Sequence, residues 1–361
     1  MRAKESPLYN QVSLDREYLT GKVLDRYSEV HKKTWGSFSP RRREHIHEEI
    51  FALILTLEES LATGSPAFLV DFVCRQQSRL LAQQFPGDFV TMYLGVFREV
   101  GAKELPSDYQ ESTSAFIRKA VAALKPGPGG AGLCPAIGTT LSVEARSFLD
   151  AALAGDRAKG DLIIDELLSS GTPVQDIYTG IFQPVLAETG RLWQESKASI
   201  AQEHYITGYI HRVMDRIHER AVAPGRKQNR GKTVITSCVG EELHEIGIRM
   251  VADFFELDGW DVYSIGANTP VKSVLAAALR EKADVLALSI TMPSRLPDVQ
   301  YLIRSVRADP DMAQVKIIVG GYPFSIIKDL WKRVGADAGA ASAHDAVAAA
   351  HRLTSSKPEK A

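Results

Sequence analysis

From residue 231 onward, short apolar runs alternate with segments of helical periodicity, and this alternation constrains the fold more than any other feature of the chain. The runs at 233–237, 261–264, 285–290 and 316–319 are too short for helices and predict buried strands. The stretches 246–257, 271–281, 298–308 and 343–353 place apolar residues three and four apart and predict helices. Strands and helices in this order pack as a doubly wound parallel α/β sheet, whose ligands bind at the carboxyl ends of the strands. The turn after the first strand reads Cys238-Val239-Gly240-Glu241-Glu242-Leu243-His244. It lacks the glycines of a dinucleotide-binding turn, which argues against nicotinamide binding.

The rest of the chain reads as all-α. At 361 residues two or three domains are expected. The Pro/Gly-rich stretch from Lys125 to Gly132 and the polar stretch from Ala223 to Gly231 separate segments 1–125, 138–222 and 231–353, followed by a polar, frayed tail from Thr354. In the middle segment Ser142 starts one helix and Asp156 caps a second that Gly171 ends. Thr172-Pro173 starts a third, and a fourth runs over 199–222. Short connections between them predict an antiparallel four-helix bundle. Amphipathic stretches at 46–62, 67–83, 89–101 and 107–124 make the N-terminal segment a helical domain.

Composition removes several function classes. The net charge of −1 and 24% charged residues give no basic excess for nucleic acid. Arg41, Arg42 and Arg43 are balanced by Glu44, Glu48 and Glu49 and read as a solvated face. The three cysteines, Cys74, Cys134 and Cys238, form no metal or redox motif and are expected as reduced thiols. No leader-like or membrane-spanning apolar run stands out, so a cytoplasmic protein without membrane contact is expected. His45 and His47 point to different sides of a helix, and His211 and His218 read as surface residues.

Chemistry concentrates just past the first strand, in Glu242-Leu243-His244-Glu245-Ile246-Gly247. One imidazole sits on a strand-to-helix loop. A carboxylate two residues earlier can hold the ring nitrogen that does not ligate, and a glycine three residues later lets a bulky group approach the backbone. This is what an axial metal ligand requires. In the bundle, Trp193 is followed after nine residues by Glu203-His204.

The loop resembles the Asp-x-His-x-x-Gly signature of cobalamin-binding domains, with Glu242 in place of Asp. With Trp193, Glu203 and His204, residues 140–353 resemble the light-sensing half of cobalamin-dependent photoreceptor regulators of the CarH kind. That resemblance implies adenosyl- or methylcobalamin as cofactor and His244 as the lower cobalt ligand. It implies Ser289, Thr291, Gly320 and Gly321 around the nucleotide tail, Trp193 and Glu203 over the upper face, and His204 as cobalt ligand after photolysis. It does not extend to residues 1–125, where those regulators carry a DNA-binding domain. There a helical sensor or output domain is expected, faintly similar to globin-like modules, which binds protein rather than DNA. The implied function is light signalling rather than catalysis. The corrinoid carrier of a methyltransferase system is the enzymatic alternative, and a light-insensitive cobalamin or tetrapyrrole sensor is another. A second pigment such as a bilin or heme in the N-terminal helices, with Cys74 as attachment point, and a homo-oligomer are both left open.

Overall fold

The computed structural model describes residues 12–124, 141–195, 197–222 and 231–355. Residues 125–132 and 223–230 of the two linkers, and Cys134, lie outside the described residues. The chain forms two compact units, 1–137 and 138–361.

The first unit is helical: α1 (Arg16–Val30), α2 (Lys32–Gly36), α3 (Pro40–Thr63), α4 (Ala67–Ala82), α5 (Phe89–Glu104) and α6 (Ser107–Leu124). Neither α1 nor α2 stands out in the sequence, because α1 is largely polar and buries only Leu19, Thr20, Val23 and Tyr27. Helix α3 starts six residues earlier than its apolar pattern, since Ser39 accepts the Arg42 N–H and Pro40 pre-sets the first turn. Phe89 meets Tyr27 and Phe38 edge to face and Phe85 and Tyr93 at a tilt in the core. Arg42 and Arg43 do not face solvent as expected. Their guanidinium groups lie over Phe85 and Trp35, at 5.0 and 5.1 Å from the ring centroids, because the planar cation stacks well on aromatic faces. Cys74 is buried on α4 and disulfide-bonded, which corrects the expectation of three reduced thiols; Cys238 is free and buried.

The second unit pairs a helical bundle with a doubly wound sheet. The bundle holds α7 (Val143–Leu153), α8 (Arg157–Ser169), α9 (Val174–Ile177), a π-helical turn (Tyr178–Phe182), α10 (Gln183–Gln194) and α11 (Ile200–Ala221). Ser142 and Asp156 cap α7 and α8, and Ser199 with Gln202 forms a capping box on α11. Pro173 is the N-cap of α9 rather than its first helical residue. The interior is apolar, with Phe148 stacked on Tyr209 and packed against Phe182.

The sheet contains β1 (Thr233–Val239), β2 (Asp261–Thr269), β3 (Val285–Ser289), β4 (Lys316–Gly320) and β5 (Ala338–Ala340), all parallel in the order β2-β1-β3-β4-β5. The connecting helices are α12 (Ile246–Leu257), α13 (Val271–Arg280), α14 (Leu296–Ala308), α15 (Tyr322–Ile326), α16 (Leu330–Val334) and α17 (Ala343–Ser355). Helix α17 continues through Thr354, whose hydroxyl donates to the Ala350 carbonyl, so the ordered chain runs past the expected end at 353. Because β1 leads to β2 on one side and β3 lies on the other, the strand order reverses between β1 and β3. The crevice beyond their carboxyl ends is where such sheets bind ligands.

Candidate functional site

β1 ends at Val239 and the chain leaves the sheet through Gly240 at φ +67°. The loop then turns Glu242 inward, where it is 1% exposed. Its Oε1 accepts the backbone N–H of His244 at 3.1 Å and the Nδ1–H of the His244 ring at 2.5 Å. Its Oε2 accepts the backbone N–H groups of Thr291 and Met292, just past β3, at 2.7 and 3.0 Å. Burial pushes this carboxyl up, but the four hydrogen bonds favour the charged form and win, holding it at about 2. Glu242 in turn raises the His244 imidazole against the opposing effect of burial. With Nδ1–H fixed on a carboxylate, Nε2 carries the lone pair, and the side chain is 61% exposed. The ring is thus an oriented, accessible metal ligand.

Gly247, Ser289, Gly320 and Gly321 line one cavity of about 180 Å³ between α12, β3, β4 and α17. Its walls are mostly apolar, with Phe254, Ile318 and Ala346 among them. A Cβ added at Gly247 would meet nothing within 4 Å. The other glycines differ. Gly321 sits at φ +96°, and a Cβ there would lie 2.0 Å from the Ile290 carbonyl oxygen; one on Gly320 would lie 3.0 Å from that of Ala340. The chain itself, and not only a ligand, demands glycine at 321. Thr291 is not on this cavity, and its contribution is the backbone N–H given to Glu242.

Helix α10 ends one residue past Trp193 and α11 begins at Ile200, so Trp193 and His204 stand on separate helices. Trp193 is 46% exposed. His204 is 72% exposed, with its Nδ1 2.6 Å from Oε2 of Glu203, whose other oxygen accepts the Thr207 hydroxyl at 3.1 Å. Glu203 lies near enough to His244 for its charge to raise that imidazole further. The fold therefore brings the start of α11 to the His244 side of the sheet. Arg191, paired with buried Glu188 and with Glu195, stiffens the turn that carries Trp193.

His218 is not a surface residue as expected. It lies between α11 and α12, 14% exposed, with Nε2 2.9 Å from Glu256 and Nδ1 3.8 Å from Asp253, because its flank of α11 packs on α12. Sequence reasoning also missed Leu243, exposed beside His244, and Tyr178, Thr179 and Gln183, which reach the cavity from the bundle. The available signal for the latter was Pro184. It cannot donate to the Gly180 carbonyl, and the chain widens into a π-helical turn there.

Comparison with known proteins agrees with this geometry. A family model described as B12 binding domain matches residues 232–351, and a second with that description matches 144–218. The chain is 28% identical over 206 residues to dimethylamine corrinoid protein 1 of Methanosarcina acetivorans, spanning 56% of this chain and 90% of that protein. It is 27% identical over 162 residues to the HTH-type transcriptional repressor CarH of Myxococcus xanthus, spanning 45% of this chain and 52% of that one. The structure of the Methanosarcina barkeri monomethylamine corrinoid protein shares the fold, with a TM-score of 0.50 at 21% identity over 57% of this chain and 96% of that one. Cobalamin is the cofactor of the bundle-and-sheet unit. An oriented imidazole beside open space at Gly247 and an apolar slot fit it. Among the described residues no helix is long and apolar enough to cross a membrane.

Proposed function

We propose that this protein is a cobalamin-based light sensor in which the bundle answers a change at the upper face of the corrin and passes it to the N-terminal helical unit or to a protein partner. The carrying observation is the exposed Glu203–His204 pair at the start of α11, with the Glu203 charge raising the His244 imidazole and Trp193 half-exposed at the end of α10. Adenosyl- or methylcobalamin, when bound, would supply a photolabile bond at cobalt. His244, oriented by Glu242, would hold the cobalt. Trp193 offers a broad apolar surface for the upper group to pack against. His204, an exposed imidazole held by Glu203, would be a second residue able to hold the cobalt. Two states with different contacts at Trp193 and His204 are what a population shift needs.

The test is to load wild type and His204→Ala with adenosyl- or methylcobalamin, illuminate both, and compare the final spectra. Different end states are expected; identical ones would remove His204 from the switch. Trp193→Ala is expected to loosen the dark state instead. The similarity to dimethylamine corrinoid protein 1 favours a second reading, a corrinoid carrier that hands on a methyl group. Photochemistry no different from that of free cofactor would favour it. The N-terminal unit is proposed to bind protein, and a salt-sensitive shift of duplex DNA by the full chain would count against that.

A further inference from the structure

Tyr178 opens the π-helical turn and is fully buried. Its hydroxyl donates to Oδ2 of Asp253 on α12 at 2.6 Å, and Asp253 is itself 6% exposed. The burial that encloses this pair raises both the phenol and the carboxyl above their ordinary values. Around it the bundle grips α12 twice more, through His218 with Glu256 and through Asp215 with Arg249. Tyr178, with Thr179 and Gln183 from the same stretch, also lines the cavity between α12, β3 and β4. One turn therefore touches both the space beside Gly247 and the polar contacts that dock the bundle on the sheet. π-Helical turns cluster at functional sites, and Pro184 sets this one in place.

We propose that the turn Tyr178–Phe182 couples occupation of that cavity by the nucleotide tail of cobalamin to docking of the bundle on α12. This rests on cobalamin as cofactor but not on light sensing. A filled cavity gives Tyr178, Thr179 and Gln183 a surface to pack on and holds the Tyr178 hydroxyl on Asp253. An empty one leaves the turn supported from one side only. The bundle thus registers whether a complete cofactor is present before any chemistry at cobalt.

The experiment is hydrogen exchange of the full chain across residues 174–183. It is run without corrinoid, with hydroxocobalamin, and with cobinamide, which keeps the corrin and lacks the nucleotide tail. Each corrinoid is brought to saturation by its absorption spectrum. Hydroxocobalamin is expected to slow exchange in this segment by about tenfold, the scale of one hydrogen bond to a charged group, and cobinamide to leave it nearly unchanged. Tyr178→Phe, brought to the same spectral saturation, is expected to lose the protection. Gln183→Ala, at an exposed position, is expected to narrow the difference between the two corrinoids. Equal protection by both corrinoids overturns the coupling, and so does undiminished protection in spectrally loaded Tyr178→Phe. Absence of any corrinoid spectrum on the protein would overturn the cofactor assignment and the coupling together.

Discussion

Oε2 of Glu242 accepts the backbone N–H of Thr291 at 2.7 Å, so one buried carboxylate fastens the loop carrying His244 to the loop that follows β3. Replacing it with Ala leaves three part-buried backbone N–H groups, of His244, Thr291 and Met292, without this acceptor and frees the imidazole. An unsatisfied buried group costs about 1–3 kcal/mol and water can offset part of that at part-buried donors, so Glu242→Ala is expected to destabilise the second unit by about 1–3 kcal/mol in denaturant unfolding. Loss of an orienting partner typically weakens metal binding about 10–100-fold, and an absorbance titration with cobalamin is expected to show a drop of that order. Unchanged affinity would mean that His244 does not need this carboxylate.

The same group sets an acid limit. Its folded value of about 2 lies below the ordinary 4.5, so the carboxylate binds fewer protons folded than unfolded over that interval. The stabilisation is fully present above about 4.5 and is lost as pH falls from there through about 2, amounting to about 3 kcal/mol. Acid unfolding of apo wild type is expected to be shallower above pH 5 than below it, and Glu242→Gln is expected to flatten the low-pH arm.

Glu59 in the first unit runs the opposite way. Burial, reinforced by the neighbouring Glu58 charge and opposed by Arg16, lifts its carboxyl to about 7. The penalty for ionising it is absent below about 4.5 and grows as pH rises through about 7, again on the scale of 3 kcal/mol. Glu59→Gln is expected to slow hydrogen exchange across α3 at pH 8 and to leave it unaltered at pH 4. Equal effects at both values would show that burial of the charge is not what limits stability there.

Gly321 and Gly247 are expected to respond to Ala in opposite ways. At 321 the added Cβ collides with a backbone carbonyl in a left-handed conformation, a strain of about 1–3 kcal/mol before the clash is counted. Loss of stability is therefore expected without cofactor. At 247, on α12 with open space around it, Ala is expected to stabilise the apo protein by about 0.5–1 kcal/mol through helix propensity and to weaken cobalamin binding. Thermal unfolding without ligand and a cobalamin titration separate the two.

The sheet unit was legible because its signals are local. The apolar periods of 246–257 coincide with α12, and Ser142 and Asp156 announce their helices by side-chain caps. β5 escaped because Ala338-Gly339-Ala340 carries no β-branched residue. It pairs in register with Ile318, Val319 and Gly320, a long-range constraint that no short window contains. The loop around His244 could be read, but the burial of His218 could not, since its face is decided by α12 arriving beside α11. Tyr178 carried no signal of its own, since only the fold places Asp253 opposite it.

The glycines of this domain differ in what their presence reports. Gly321 answers to the carbonyl of Ile290, a backbone neighbour that is there whatever the domain binds. A descendant that lost its cofactor would still keep that glycine, while position 247, facing open space, would drift to any helix-favouring residue. Read across related sequences, Gly247 is therefore a record of ligand and Gly321 a record of backbone.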